Sequence, residues 1–213
     1  MLALAFTCAA WFIQEWRSRR MARTVLAGLM ALVSMFMLMG GFRIGVASGM
    51  SMAPSMSSWN ITLVSLPWWE RSPLPRPGHV VVFSVTDPAT GLPQTLAKRV
   101  VAVEGQHLQY RSGRLRVNGQ ELTQDWEGQR ARKPAGTVWK HVRLGSTLVA
   151  VWAPMSGLPD VSVDRQLAVG QVFVLGDHWA NSWDSRNFGP IPAQGIRGRV
   201  VAAWSWENGW KGL

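Results

Sequence analysis

The sequence predicts a mainly β protein, in which an antiparallel β domain with a smaller inserted β subdomain follows one or two N-terminal transmembrane helices. Three observations support this prediction. An uncharged apolar run near the N terminus is long enough to cross a bilayer. Short valine-rich segments, punctuated by glycine and proline, follow it to the end of the chain. No long stretch beyond residue 44 has the period of an amphipathic helix.

The sequence of the N-terminal region predicts a membrane anchor over residues 1–43. Residues 24–42 carry neither charge nor proline, and as a helix their 19 residues would span about 28 Å, close to the ~30 Å hydrocarbon core of a bilayer. Residues 1–13 are apolar but would cover only about 20 Å, which predicts a short first span or an interfacial segment. Four arginines lie within residues 14–23, so the positive-inside rule predicts that this loop is cytoplasmic and residues 44–213 lie outside.

The segments beyond residue 44 predict strands in order. Valine-rich or alternating runs occur at residues 80–83, 96–103, 114–117, 148–152, 172–175 and 199–206. Asn118-Gly119 supplies the left-handed conformations that a tight hairpin needs. Residues 106–170 are less apolar and more irregular than their flanks, and we expect them to form the inserted subdomain.

Composition narrows the function classes. The chain has 22 Lys and Arg against 12 Asp and Glu, a net charge of +10, which suits nucleic acid or an anionic lipid surface. The basic residues are thinly spread outside the arginine loop, so membrane lipid is predicted as a partner and nucleic acid is not. The single cysteine, Cys8, excludes an intramolecular disulfide and supports no cysteine metal site. The chain contains 13 tryptophans, and those at residues 59, 68 and 69 suit either a headgroup-level position or ordinary core packing.

Ser51 is a candidate nucleophile. It lies in Ser51-Met52-Ala53-Pro54, shortly after the apolar run, with Gly49 before it and Pro54 after it to restrict the loop. A serine hydroxyl is a weak nucleophile and needs a base. Serines are also common in loops, so the motif alone is weak evidence.

Lys98 is the candidate base. It lies in an apolar strand beside Arg99, and if its side chain points inward, burial disfavours the charged amine and lowers its pKa. A neutral amine could then accept the serine proton near neutral pH. The alternative is that Lys98 and Arg99 form a charged strand end.

The third element is the segment 176–186, Gly-Asp-His-Trp-Ala-Asn-Ser-Trp-Asp-Ser-Arg. Its density of carboxylates, hydroxyls and an arginine next to an apolar strand predicts a buried hydrogen-bonding network, although a solvated turn has similar composition.

Together these elements resemble the bacterial type I signal peptidase family over roughly residues 44–204. The motifs are Ser-Met-x-Pro, the Lys-Arg-Val-Val strand and Gly-Asp-x-x-x-x-Ser-x-Asp-Ser-Arg, in this order after an apolar span. The resemblance implies a β-rich catalytic core with a smaller inserted β subdomain. It also implies a bacterial inner-membrane protein that has its catalytic domain on the periplasmic side. Its substrates would be preprotein signal peptides cut after small side chains, without cofactor or metal.

The resemblance assigns roles to individual residues. Ser51 would be the nucleophile, Lys98 the general base and Ser182 the hydroxyl that hydrogen-bonds and orients the lysine. The remaining positions are two structural ion pairs and a pocket for small side chains: Arg99 with Asp177, Asp184 with Arg186, and Met52, Leu96 and Ala97 around the pocket.

Departures from the family pattern leave two points open. Gly49 stands where many members have a serine hydroxyl that completes the oxyanion hole, so the hole would rest on the Ser51 amide and a second donor that the sequence does not identify. His178 replaces the family's asparagine. Ser51, His178 and Asp184 could therefore form a serine–histidine–aspartate triad instead of a serine–lysine dyad.

The function predicted is removal of N-terminal signal peptides from exported preproteins by a membrane-bound serine endopeptidase with an acyl-enzyme mechanism. The main alternative is a dedicated maturation peptidase for a pilin or conjugation component, which the divergent motifs suggest. Two weaker alternatives are a self-cleaving serine–lysine protein and an anchored β domain that binds preproteins or lipid without cutting them.

Overall fold

The computed structural model describes residues 19–36, 41–66, 75–126, 134–155, 161–207 and 209–213. The chain divides into two units, Met1–Gly41 and Phe42–Leu213.

In the first unit, residues 19–36 form helix α1, and all of their side chains are exposed. Among the described residues, no helix is both long enough and apolar enough to cross a membrane. The helix predicted to end at residue 42 does not reach it, because Phe42 is the first residue of a strand and pairs with Ser65. The short span predicted at residues 1–13 lies outside the described residues.

The second unit is built on an eight-stranded antiparallel sheet. Its strands are β1 (Phe42–Val46), β2 (Ile61–Ser65), β3 (Val80–Thr86), β4 (Pro93–Val103), β12 (Gln171–Leu175), β13 (Ile191–Pro192), β14 (Ile196–Ser205) and β15 (Gly209–Gly212). Their order is β1-β2-β14-β3-β4-β12-β13, and β15 also pairs with β14. The late strand β14 is therefore central in the sheet, between two strands from early in the chain.

Two smaller sheets are formed between β4 and β12. One has the order β11-β5-β6-β7 and the other β10-β9-β8. Their strands are β5 (His107–Arg111), β6 (Arg114–Val117), β7 (Gln120–Glu121), β8 (Thr123–Asp125), β9 (Thr137–Leu144), β10 (Thr147–Pro154) and β11 (Val163–Gln166). Asn118 and Gly119 join β6 to β7 with φ values of 50° and 79°, the left-handed turn that their sequence predicts. The prediction of a mainly antiparallel β fold is confirmed.

The segment after β12 contains the short helical elements of this unit that the structure describes. These are a 3₁₀ turn at Trp179–Asn181, helix α2 at Ser185–Phe188 and a 3₁₀ turn at Ala193–Gly195. The first two fold the polar segment 176–186 back over the end of β12.

Candidate active site

The loop around Ser51 is fixed by burial of its neighbours. Met52 and Met56 are buried in an apolar cluster with Val80 and Val200, from β3 and β14. Within the loop, the Ala53 amide donates to the Met50 carbonyl at 3.0 Å. Ser51 itself stays half-buried. The loop therefore holds its backbone in the core while the serine side chain remains accessible.

Lys98 lies on β4, opposite Val81 of β3, and its residue is only 2% exposed. Its Nζ is hydrogen-bonded to Ser51 Oγ. The structure thus joins the two predicted catalytic side chains, which are 47 residues apart in the chain. Because Lys98 is buried, the alternative of a charged, solvated strand end is wrong.

The environment of Lys98 increases the fraction of neutral amine by lowering the pKa. Burial lowers the pKa of Lys98 from 10.5 to about 8, with the Asp184 and then the Asp177 carboxylate acting in the opposite direction and the Arg186 guanidinium lowering it further. At this pKa roughly a tenth of the amines are neutral at pH 7, against well under a thousandth for an ordinary lysine. A neutral lysine in contact with a hydroxyl is equipped to accept its proton.

Arg99 and Asp177 form a buried ion pair behind the loop. Arg99 Nε donates to Asp177 Oδ1 at 2.8 Å and Arg99 Nη2 to Asp177 Oδ2 at 2.7 Å. The same guanidinium donates to the Gly78 carbonyl at 2.7 Å and to Ser55 Oγ at 3.2 Å. One side chain therefore ties together β4, the end of β12, the turn before β3 and the nucleophile loop.

Asp184 and Arg186 form the second predicted pair. Arg186 Nε donates to Asp184 Oδ1 at 2.9 Å and Arg186 Nη2 to Asp184 Oδ2 at 3.0 Å. Asp184 also caps helix α2 and accepts the Gly176 amide at 3.0 Å. The other guanidinium nitrogen, Arg186 Nη1, donates to Tyr110 Oη at 3.1 Å. The polar segment is therefore a buried network, as predicted, and the solvated-turn alternative is wrong.

Ser182 lies directly against Gly176. A Cβ placed on Gly176 would stand 2.3 Å from Ser182 Oγ and 2.3 Å from the Ser51 carbonyl oxygen. Among the described residues, Ser182 Oγ has no hydrogen-bond partner. The hydrogen bond between Ser182 and Lys98 that the family resemblance implies is not formed among the described residues, whereas Lys98 Nζ does contact Ser51 Oγ.

A cleft of about 260 Å³ opens beside the dyad. Ser51, Lys98 and Gly49 line it, together with the three residues predicted to form the substrate pocket, Met52, Leu96 and Ala97. Gly49 has a φ of +87°, and a Cβ at this position would meet no atom within 4 Å. The cleft combines a nucleophile and a base with mostly small or apolar walls, which suits an extended segment with small side chains.

Comparison with known proteins identifies the family. The family model described as signal peptidase, peptidase S26 matches residues 17–206. The chain belongs to this family. Signal peptidase I of Bacillus caldolyticus is 27% identical over 187 residues, covering 88% of this chain and 90% of that protein. Signal peptidase I V of Bacillus subtilis (strain 168) is 29% identical over 155 residues, covering 73% of this chain and 81% of that protein.

A solved structure titled signal peptidase I, from Enterococcus faecalis V583, is 24% identical to this chain. The superposition has a TM-score of 0.35 and covers 59% of this chain and 96% of the Enterococcus chain, and this similarity is too low to bear on the fold.

In this member of the signal peptidase family, Ser51, His178 and Asp184 do not form the alternative serine–histidine–aspartate triad. Ser51 Oγ is bonded to Lys98, and the Asp184 carboxylate is occupied by Gly176 and Arg186. Nδ1 of His178 has no hydrogen-bond partner among the described residues.

Two contributors to the site were missed by sequence reasoning. Tyr110 comes from β5, 76 residues before its partner Arg186, and nothing in its local sequence signals that contact. Ser55 binds Arg99 but sits among several other loop serines. In contrast, Gly176 already stood at the start of the predicted polar segment, and a glycine at the end of an apolar strand often marks a close backbone approach.

Proposed function

We propose that this protein is a serine endopeptidase that removes N-terminal signal peptides from exported preproteins, with Ser51 as nucleophile and Lys98 as general base. The observation that carries the proposal is the hydrogen bond between Ser51 Oγ and a buried Lys98 Nζ. Membership of the signal peptidase family supports it. Relatives named signal peptidase I favour general signal-peptide removal over dedicated maturation of one partner.

Acylation begins when neutral Lys98 takes the Ser51 proton as Oγ attacks the scissile carbonyl carbon. The new C–O bond forms while the carbonyl π electrons move to oxygen, giving a tetrahedral oxyanion. The Ser51 amide is suited to stabilise this oxyanion, since among the described residues it donates no other hydrogen bond. The Lys98 ammonium then protonates the leaving amine as the C–N bond breaks.

Deacylation reverses the roles with water as the nucleophile. The neutral Lys98 left by acylation takes a proton from water as the water oxygen attacks the ester carbon. Collapse of the second oxyanion breaks the C–Oγ bond, and the ammonium returns the proton to Ser51. The carboxylates of Asp177 and Asp184, which act on the pKa of Lys98, stabilise the ammonium formed in each half-reaction.

We propose that the apolar N-terminal region holds the protein at a bacterial inner membrane, with residues 44–213 on the extracytoplasmic side. The uncharged run at 24–42, the arginines before it and the exposed apolar side chains along α1 support this. Anchoring confines enzyme and membrane-emerging preprotein to the same surface, which raises their encounter rate. The expected substrates have small side chains before the cleaved bond, as the family resemblance implies, and Met52, Leu96 and Ala97 line the cleft that would receive them.

Processing of a purified preprotein in detergent tests the proposal. Wild-type protein should release the signal peptide, and Ser51→Ala and Lys98→Ala should each be at least 10³-fold slower, since neither half of the dyad works alone. Arg114→Gln is the control and should keep full activity, because Arg114 lies on β6 and does not line the cleft. Full cleavage by either dyad variant would falsify the assignment.

A further inference from the structure

The cleft beside Ser51 carries a hydroxyl among the apolar side chains of its floor. We use floor for the lining side chains of the strands between β1 and β4, which are Thr62 and Val64 from β2, Val200 from β14 and Val82 from β3. Thr62 is only 6% exposed. Covering such a hydroxyl with an apolar group is costly, because the hydroxyl loses its water and gains no partner.

The protein leaves this hydroxyl without a partner. Among the described residues, Thr62 Oγ1 takes part in no hydrogen bond, and it is not one of the unpaired polar atoms that are cut off from solvent. It therefore opens into the cleft. Other polar groups of the lining are already paired: Ser51 Oγ is hydrogen-bonded to Lys98 Nζ, and Thr95 Oγ1 lies 3.2 Å from Ser84 Oγ.

Gly45 keeps the Thr62 hydroxyl uncovered. Gly45 of β1 is paired with Thr62 of β2, and both residues line the cleft. A Cβ built on Gly45 would stand 3.0 Å from Thr62 Oγ1, which is tighter than an ordinary van der Waals contact. Any side chain at residue 45 would therefore press against the hydroxyl. Because residue 45 is glycine, a substrate atom in the cleft can reach this oxygen.

The surroundings of Thr62 determine which substrate group can bind there. The other floor side chains are uncharged and apolar, so a charged group would lose its water without meeting a counter-ion. A hydroxyl suits the site, because each of two hydroxyls can donate and accept a hydrogen bond. The small side chains with a hydroxyl are serine and threonine. Ser48 also lines the cleft, but it is exposed and keeps its own water, so it imposes no such preference.

We propose that Thr62 is a specificity-determining residue whose hydroxyl binds a serine or threonine side chain at one substrate position before the scissile bond. The inference rests on the proposed protease function and narrows its substrates to those with a hydroxyl at that position. Serine there pairs with Thr62 Oγ1, whereas alanine displaces its water and leaves it unpaired. Substrates with serine are therefore cleaved faster than those with alanine.

Peptides that differ by one oxygen atom test the proposal. In a peptide that spans a preprotein cleavage site, each of the three residues before the scissile bond is set in turn to serine or alanine. The full-length protein in detergent cleaves each peptide, and kcat/KM is measured. Wild type should favour serine by about 3- to 10-fold at one position. Thr62→Val keeps the branched shape without the hydroxyl and should reduce that preference to within about twofold.

Thr95→Val is the matched control. It also removes a threonine hydroxyl from the cleft lining, but one that already pairs with Ser84, so the ratio of the serine and alanine rates should stay as in wild type. Wild type without a serine preference at any of the positions overturns the proposal, as does a preference that Thr62→Val retains. If Thr62→Val does not fold, Gly45→Ala decides, because its methyl group presses on Thr62 Oγ1: loss of the preference supports the proposal and its retention overturns it.

Peptide binding to Ser51→Ala separates this inference from the protease mechanism. The variant keeps the cleft but lacks the nucleophile, and calorimetry gives its Kd for the serine and alanine peptides. Tighter binding of the serine peptide, lost when Thr62→Val is added, supports the role of Thr62 even if wild-type protein cleaves neither peptide, a result that would remove the protease function alone. Equal Kd and equal kcat/KM values for the two peptides, beside normal cleavage by wild type, remove only the selectivity.

Discussion

Arg99 donates two hydrogen bonds to the Asp177 carboxylate, 2.8 and 2.7 Å long, and the two side chains are only 4% and 2% exposed. The pair joins the strand that carries the predicted base to the segment that holds the carbonyl of the predicted nucleophile. A paired guanidinium and carboxylate in such a place stabilise the local arrangement only while both are present.

Breaking this pair should be costly. Asp177→Asn leaves the Arg99 charge buried without its counter-ion, and we expect the free energy of unfolding to fall by about 3–5 kcal/mol. Urea denaturation measures this. The exposed pair Arg114–Asp125, 3.5 Å apart with side chains 53% and 65% exposed, gives the comparison: Arg114→Gln should cost under about 1 kcal/mol. Equal losses for the two variants would show that burial does not set the strength of the inner pair.

Enlarging Gly176 should disable the dyad. A methyl group there would meet both Ser182 Oγ and the Ser51 carbonyl oxygen at 2.3 Å, so the polar segment or the nucleophile loop must move. For Gly176→Ala we expect a loss of about 1–3 kcal/mol in stability and at least a 100-fold fall in kcat/KM. Gly212→Ala in β15, where the nearest atom would be 4.0 Å from the new carbon, should change neither by a measurable amount. Retention of wild-type activity by Gly176→Ala contradicts the geometry described here.

The pH dependence of cleavage should report Lys98. Since only the neutral amine accepts the serine proton, kcat/KM is expected to rise with pH through an inflection near 8, the value to which burial lowers the pKa of Lys98. Arg186 acts to lower that pKa, so Arg186→Gln should move the inflection to higher pH. Initial rates between pH 6 and 10 in a constant-ionic-strength buffer provide the measurement. An Arg186→Gln profile displaced to lower pH would contradict the electrostatic assignment.

Lys98 should also reduce stability at neutral pH. Its pKa is about 8 when folded and 10.5 when unfolded, so the unfolded chain binds the proton more tightly. The free energy of unfolding should therefore rise with pH between about 8 and 10.5 and be lowest below pH 8.

The difference between the two pKa values of Lys98 lowers the free energy of unfolding at neutral pH by about 3 kcal/mol, and a variant without the amine does not lose this stability. At pH 7, Lys98→Met should be inactive but more stable than wild type by up to that amount, with the difference shrinking toward pH 10.5. Urea denaturation of both proteins at pH 6, 8 and 10 measures it, and a gap that does not change with pH argues against a depressed lysine pKa.

Local patterns were sufficient for many of the strands. The valine runs at residues 80–83 and 172–175 are buried strands, and Asn118-Gly119 makes its turn because both residues tolerate positive φ. The central position of β14 in the sheet could not be predicted, because strand order depends on pairing between distant segments and not on the local sequence of each strand. The predicted end of the helix over residues 24–42 was also wrong at Phe42, because an apolar aromatic residue is compatible with a membrane span and with a strand.

For the site, the motifs indicated which side chains come together. The contacts of Arg99 with Gly78 and Ser55 depend on how β3 and the Ser51 loop pack against β4, which the sequence does not specify. The direction of the Ser182 hydroxyl likewise depends on the path of the 3₁₀ turn before it.

The contact between Tyr110 and Arg186 links one of the smaller sheets, through β5, to the surroundings of Lys98. Arg186 influences the basicity of Lys98, and its guanidinium lies over the Tyr110 ring, 5.0 Å from the centroid, as well as binding the phenol. A shortened protein that lacks residues 106–170 would therefore lose the Tyr110 contact that helps to hold Arg186, a residue that lowers the pKa of Lys98. Attempts to engineer a minimal protease from this scaffold should keep β5, however distant it lies from the cleft.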